Sequence, residues 1–187
     1  MKNLLLLTAL SAVFLPVAVQ AAPANVVVVD RERVYAECNA CKSAQAQLQA
    51  QATALQARQT ALSTPLKTEA QSLQTAVDAL KGAPPGPALK ARVTAFQTQQ
   101  NNANQELGRM QQTLQASQAN VVRQIDAKLD GIYGSVMGAK GANLAVDVGA
   151  TLAHGAALDV TADVLAALNV ALPSVSVTAP AAAPTGR

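Results

Sequence analysis

Residues 81–87 (Lys-Gly-Ala-Pro-Pro-Gly-Pro) separate two long runs that are rich in Ala, Gln and Leu. A helix cannot continue through them, because proline lacks the amide donor and clashes with the preceding turn, while glycine adds backbone freedom. Two long helices joined by a short connection pack antiparallel as neighbours. The sequence therefore predicts a helical hairpin whose tip is formed by Gly82, Pro84, Pro85, Gly86 and Pro87.

The two predicted arms span residues 31–81 and 88–136, and apolar residues recur in both at steps of three and four. This spacing is typical of a coiled-coil seam. At 1.5 Å per residue, arms of about 45 residues would be roughly 65 Å long, so they should protrude from the rest of the chain. Pro65 falls inside the first arm, where it is expected to kink the helix.

The N-terminus has the pattern of a secretory signal peptide. A short positive start precedes the apolar run Leu4–Leu15, and Val-Gln-Ala at 19–21 is a small-residue cleavage site. We predict cleavage after Ala21 and export of the mature chain, because the run is too short to span a bilayer. Once Lys2 leaves with the signal, 13 basic residues face 11 acidic ones. A net charge this small does not point to nucleic acid as a partner.

Short strands and a final helix are predicted outside the arms. Four valines within Asn25–Asp30 favour a buried strand, Asn143–Val148 alternates as a second strand does, and Gly149–Ala153 is a candidate for a third. Glycines from 131 to 141 should loosen the end of the return arm, and Asp159 or Thr161 can cap a short helix. A β-rich body of residues 22–30 and 137–170 results, followed by a disordered tail at 171–187.

The order of these features resembles the Skp (OmpH) family of periplasmic chaperones. The Val-rich strand, the hairpin, Ala-Asn-Leu-Ala-Val-Asp at 142–147 and Asp-Val-Thr-Ala-Asp-Val-Leu at 159–165 carry the resemblance over nearly the whole mature chain. It implies a mainly α fold in which the small β body joins three copies and the arms surround a cavity. The association residues expected from it are Val27, Val29, Leu144, Val146, Val148, Val164 and Leu168.

The resemblance also implies an activity without catalysis or cofactor. Family members hold unfolded outer-membrane β-barrel proteins between their arms without ATP, with transient contact with the membrane surface as a further expectation. The charge of this chain departs from the family's basic arms, because nine basic residues face five acidic ones between Lys42 and Asp130. We therefore expect weaker electrostatic capture of clients and assign no lipopolysaccharide site.

Cys38 and Cys41 form a C-x-x-C motif and are the two cysteines of the chain. A structural disulfide, within or between chains, is favoured in an oxidising compartment. A thiol oxidoreductase is the minority interpretation, since no thioredoxin-like βαβ pattern surrounds the motif. Zinc would need ligands beyond the single His154, and no motif of a hydrolase or a phosphate-binding loop is present. A structural or adaptor coiled-coil protein remains the alternative to the chaperone.

Overall fold

The computed structural model describes residues 24–178. The predicted signal peptide and residues 179–187 of the predicted tail lie outside this range. In chain order, the elements are strand β1 (Val26–Val29), helices α1 (Arg31–Glu37), α2 (Asn39–Asp78) and α3 (Pro87–Ala139), strand β2 (Leu144–Asp147) and helix α4 (Thr161–Ala171), with 3-10 turns at Val148–Ala150 and Ala156–Leu158. Within the described range, no helix is both long enough and apolar enough to cross a membrane.

The predicted fold class is confirmed: a long antiparallel helical hairpin stands on a small body with two strands. The helices of the hairpin, α2 and α3, have 40 and 53 residues. The first arm is divided more finely than we predicted, because Cys38 has an extended backbone with ψ 139° and separates α1 from α2. Helix α2 runs through Pro65 without a break, and the kink there stays a prediction.

The turn between the helices uses left-handed backbone at two positions. Lys81 has φ 48° and Gly82 has φ 91°, and the amide of Ala83 donates to the carbonyl of Leu80 at 2.9 Å. Pro87 is the first residue of α3, where its missing N–H would have had no helical partner. The proline and glycine residues of the tip thus end one helix and begin the next.

The sheet joins the segments of the chain that come before and after the helical hairpin. Strands β1 and β2 pair in parallel, with Val26 opposite Leu144 and Val29 opposite Asp147. On the other side of β1, the amide of Val160 donates to the carbonyl of Val28 at 2.9 Å. Two expectations were wrong here: residues 149–153 form no strand, and α3 continues through Gly131, Gly134 and Gly138 to Ala139.

The core of the body lies where α1, α3 and α4 meet β1. Val34, Ile125, Leu129, Val164 and Leu168 are each 1% exposed or less. Ordering a 53-residue helix costs conformational entropy, and this apolar packing at its base helps to offset it. The body therefore holds the base of the hairpin, and beyond it the leucines of α2 are only partly buried, with the exception of Leu73.

Hydrogen bonds fix the ends of the elements in the body. Asp30 Oδ1 accepts from the Arg33 amide at 2.8 Å and caps α1, while Thr161 Oγ1 accepts from the Asp30 amide at 2.9 Å. Asp159 Oδ1 accepts from the Thr161 amide at 2.8 Å, and the bonds to Thr161 hold the pKa of Asp159 below its usual value. The N-cap position of α4 is taken by Val160, so the prediction that Asp159 or Thr161 caps this helix was wrong; Asp159 lies one residue earlier and binds the first amide of the helix instead.

Candidate functional site

The seam between α2 and α3 is narrow. Leu73 and Ala103 are buried in it, whereas Leu55, Leu62 and Leu66 are only partly buried. Val77, which continues the same spacing of apolar residues, is 46% exposed near the tip. Partial burial of Leu gives only part of the roughly 1.5–3 kcal/mol that full burial provides. The arms are therefore held together weakly along much of their length.

Two ion pairs cross the hairpin. Arg58 Nε lies 2.6 Å from Glu106 Oε1, and Arg92 Nη2 lies 2.8 Å from Glu69 Oε1. Hydrogen bonding to Arg58 lowers the pKa of Glu106. Arg58 and Glu69 lie at the three- and four-residue steps of α2, but spacing alone could not identify their partners on α3. These pairs fix which residues of the two helices lie opposite each other.

Two clefts open between the helices, one on each side of the Arg58–Glu106 pair. The cleft nearer the body has a volume of 290 Å³ and is lined by Gln51, Ala54, Leu55, Arg109, Met110, Thr113 and Leu114, with Glu106 at its end. The cleft nearer the tip has a volume of 350 Å³ and is lined by Leu62, Pro65, Leu66, Gln99, Asn102 and Ala103, again with Glu106. Both clefts offer apolar surface with a few polar groups, and neither assembles a catalytic constellation.

The arm-tip residues predicted from the sequence lie together at the far end of the hairpin and are exposed. Beside them, a shallow groove is lined by Val77, Pro85, Leu89, Lys90 and Val93. A small exposed apolar surface at the tip of a long arm is placed for contact with another molecule.

The seven predicted association residues divide into two groups. Val27, Val29, Val164 and Leu168 are buried within the core of this one chain. Leu144 is 48% exposed, and Val146 and Val148 are half-buried. The role of all seven residues in association stays a prediction. The four buried residues support the body from inside.

The outer edge of β2 pairs with no strand within residues 24–178. An open strand edge presents unpaired N–H and C=O groups and is a template for pairing with another chain. The exposed Leu144 and Leu152 lie on or near this edge in sequence. The outer edge of β2 is therefore open to pairing with a further strand.

Cys38 and Cys41 form a disulfide within the chain, with their Cα atoms 5.1 Å apart. Cys38 also caps α2, since its Sγ accepts from the Cys41 amide at 3.0 Å. The two residues are 1% and 6% exposed and belong to the core. Thiol exchange requires an accessible sulfur, so this burial favours a structural role over redox catalysis.

A cluster of polar side chains closes one side of the body. Tyr35 Oη donates to Asp126 Oδ1, and Arg31 Nη2 lies 3.7 Å from the same carboxylate oxygen. Burial, with the bond to Asp126, raises the pKa of Tyr35 to about 12, and burial raises that of Tyr133. No group of three or more His, Cys, Asp or Glu side chains in residues 24–178 is arranged to hold a metal ion. The cluster ties α1 to α3.

The first residues of the predicted disordered tail are ordered against α3, so the prediction of disorder was wrong for them. Ser176 O accepts from Gln124 Nε2 at 2.8 Å and from Asn120 Nδ2 at 2.9 Å. Val175 and Val177 pack against the core. The prediction of disorder rested on the Pro, Ala, Ser and Thr content of the whole segment. The alternation of these valines with Ser and Thr is a strand-like signal that this composition outweighed.

Comparison with known proteins agrees with this architecture. The family model of outer membrane proteins described as OmpH-like matches residues 25–168. The crystal structure of a candidate outer membrane chaperone (OmpH-like) from Caulobacter crescentus superposes with a TM-score of 0.68 at 21% identity, covering 88% of this chain and 95% of that one. At this identity, the superposition shows a shared fold. No curated protein sequence matches the chain.

Proposed function

Because the chain belongs to the OmpH-like family, we propose that it is a chaperone, and specifically an ATP-independent periplasmic holdase for unfolded outer-membrane β-barrel proteins. The observation that carries the proposal is the hairpin itself. Helices of 40 and 53 residues project from a small body and meet in a narrow seam with open apolar clefts. Such arms offer much surface for weak contacts and little for catalysis.

The proposal includes assembly of three copies around a cavity. The open edge of β2 and the exposed Leu144 support association through the body, since they lie at the opposite end of the hairpin from its tip. Several arms around one client would multiply weak contacts into effective retention, while each contact releases quickly. Export to the periplasm would place the protein where such clients pass.

The charge of the arms supports a chaperone that depends on apolar contact more than on electrostatic capture. The nine basic and five acidic residues between Lys42 and Asp130 give a modest positive excess. Two of the basic residues, Arg58 and Arg92, are already paired across the hairpin. Client retention should therefore be only weakly sensitive to salt, because salt screens exposed charges but strengthens apolar association slightly.

The test is aggregation of an unfolded outer-membrane β-barrel protein after dilution from urea, followed by light scattering with and without the mature chain. Suppression without ATP, together with a trimeric mass in multi-angle light scattering, is the expected result. A monomer that leaves aggregation unchanged would refute the proposal. Stable binding to a folded partner, with no preference for unfolded chains, would instead identify an adaptor protein.

A further inference from the structure

Residues 173–178 lie on α3 at the base of the hairpin, and the side-chain amide of Gln124 binds the backbone of Ser176 at two points. Gln124 Nε2 donates to Ser176 O at 2.8 Å, and Gln124 Oε1 accepts from Ser176 N at 3.1 Å. A side-chain amide that pairs with both polar groups of one residue imitates the pairing of a neighbouring strand. Gln124 thus recognises a peptide unit and not a side chain.

Asn120 extends this recognition by one turn of the helix. Its Nδ2 donates to Ser176 O at 2.9 Å and to Thr178 O at 3.1 Å, and its Oδ1 accepts from Arg123 Nη2 at 2.7 Å. Asn120 is only 5% exposed, so its amide is held in place and its hydrogen bonds are protected from water. All the bonds from Asn120 and Gln124 to the segment are made to backbone atoms, which every polypeptide offers.

The side chains of the segment alternate between two environments. Val175 and Val177 are half-buried and pack against the core, whereas Ser174, Ser176 and Thr178 are exposed. Burial with a period of two is characteristic of an extended strand. The sequence Ser-Val-Ser-Val-Thr has the same alternation of apolar and polar residues that defines the strands of an outer-membrane β-barrel.

We propose that Asn120 and Gln124 form a binding site for extended segments of unfolded polypeptide with alternating apolar and polar side chains, and that residues 174–178 are its resident occupant. The inference rests on the proposed holdase function, because it assigns a contact for the client of that function. A client strand binds where the resident segment lies, with its backbone on the two amides and its apolar side chains in the positions of Val175 and Val177.

The surface continues beyond the resident segment towards the tip. Residues 106, 110, 113, 120 and 124 share one face of α3, with the buried Ser117 between residues 113 and 120. Glu106, Met110 and Thr113 on this face line the cleft nearer the body. In the same cleft, Gln51 Oε1 is buried and has no hydrogen-bond partner within the described residues. A client longer than the resident segment finds both an apolar lining and an acceptor for a backbone N–H there.

The experiment releases the segment in the full mature chain through the double substitution Val175→Ser and Val177→Ser. A resident occupant competes with the client for the site. The apparent affinity is then the intrinsic affinity multiplied by the fraction of sites that are free. We expect the released variant to bind a labelled unfolded β-barrel protein roughly tenfold more tightly than the wild type, measured by fluorescence anisotropy. Val170→Ser is the matched control, because Val170 is 83% exposed and lies outside the segment.

The amides are tested in the released background. Adding Gln124→Ala or Asn120→Ala should abolish the gain, and circular dichroism checks that the helices remain intact. Gln124 is the safer position, since its side chain is only half-buried. A synthetic peptide with the sequence of residues 172–178 should compete with the client, and a peptide with the same composition but adjacent valines should compete at least several-fold less.

The outcomes separate this inference from the proposed function. Unchanged client affinity in the released variant, with aggregation still suppressed, would overturn the inference and leave the holdase standing. Equal competition by the two peptides would also overturn it, because alternation would then not be recognised. A gain in affinity that is lost with Gln124→Ala would support it.

Discussion

Arg58 and Glu106 meet across the hairpin through two parallel hydrogen bonds, Nε to Oε1 at 2.6 Å and Nη2 to Oε2 at 3.0 Å. They lie between the two clefts, 48 residues apart in the sequence. A bidentate pair has a fixed geometry that a single contact lacks. The pair therefore sets the alignment of α2 against α3 in a region where apolar burial is thin.

This pair makes the stability of the arms depend on pH. The pKa of Glu106 is lowered from an ordinary value of 4.5, so the contribution of the pair is fully present above that value and is lost as the pH falls through the lowered pKa. Glu106→Gln should reduce the melting temperature at pH 7, and the difference should shrink as the pH is lowered through the depressed pKa of Glu106. Thermal melts followed by circular dichroism measure both. Asp130→Asn is the control, since Asp130 makes no ion pair among residues 24–178; an equal effect there would contradict the assignment.

The core of the body should tolerate truncation poorly. Leu129 is 1% exposed, so Leu129→Ala removes buried contacts and leaves a cavity, at a cost of roughly 2–5 kcal/mol in the free energy of unfolding. Val122→Ala on the same helix should change it by less than about 0.5 kcal/mol, because Val122 is 47% exposed. Chemical denaturation of the two variants checks the difference, and similar values would show that α3 is not anchored at Leu129.

The turn of the hairpin allows a paired test of backbone conformation. Gly82 has φ 91° and a Cβ there would meet no atom within 4 Å, so Gly82→Ala should destabilise the protein by about 1 kcal/mol through backbone strain alone. Gly108 is inside α3 and also has open space around it, so Gly108→Ala should stabilise by about 0.5–1 kcal/mol. Urea denaturation should give opposite signs; the same sign for both would refute this account of the turn.

The disulfide should support stability without being required for the fold. It closes a loop between residues three apart, for which the loss of unfolded-state entropy corresponds to about 2 kcal/mol. Replacing Cys38 and Cys41 by Ser should lower the unfolding free energy by about that amount while far-ultraviolet circular dichroism stays helical. Aggregation suppression should persist in the double variant. Loss of activity without loss of structure would revive a redox role.

Tyr35 offers a spectroscopic probe of the junction between α1 and α3. Its pKa is raised to about 12, so the stabilisation is present below the ordinary pKa of 10 and is lost as the pH rises through 12. Ultraviolet absorbance follows tyrosine ionisation in a chain without tryptophan, and it is measured in a Tyr133→Phe background because burial raises the pKa of Tyr133 as well. Asp126→Asn should lower the pKa of Tyr35, since it removes the neighbouring negative charge. An unchanged titration would show that burial alone is responsible.

The elements that follow from local chemistry were predicted well from the sequence. Proline and glycine at 82–87 located the turn, and the spacing of Leu and Ile along the arms identified the residues that meet in the seam. Four adjacent valines identified β1. In each case, a few neighbouring residues determine the local structure, because proline geometry, helical periodicity and β-branching act over short stretches of sequence.

The features that depend on tertiary contacts were not predictable in this way. The glycines at 131, 134 and 138 remain helical, because Leu129 and Ile132 on the same segment are anchored in the core and outweigh the low propensity of glycine. Residues 173–178 are ordered by Asn120 and Gln124, which are more than 50 residues away. The site on α3 was missed for that reason, since neither amide stands out among the many Asn and Gln residues of the arm.

The parallel pairing of Val26 with Leu144 determines the order in which the molecule can be completed. β1 is the first described element of the chain, and its partner strand lies beyond both long helices. A nascent chain must therefore carry β1 unpaired with β2 until the entire hairpin has emerged. Contacts between residues close in sequence generally form sooner than distant ones, so we expect α2 and α3 to associate from their turn before the sheet closes. During part of its folding, the protein therefore has a strand whose partner is not yet available.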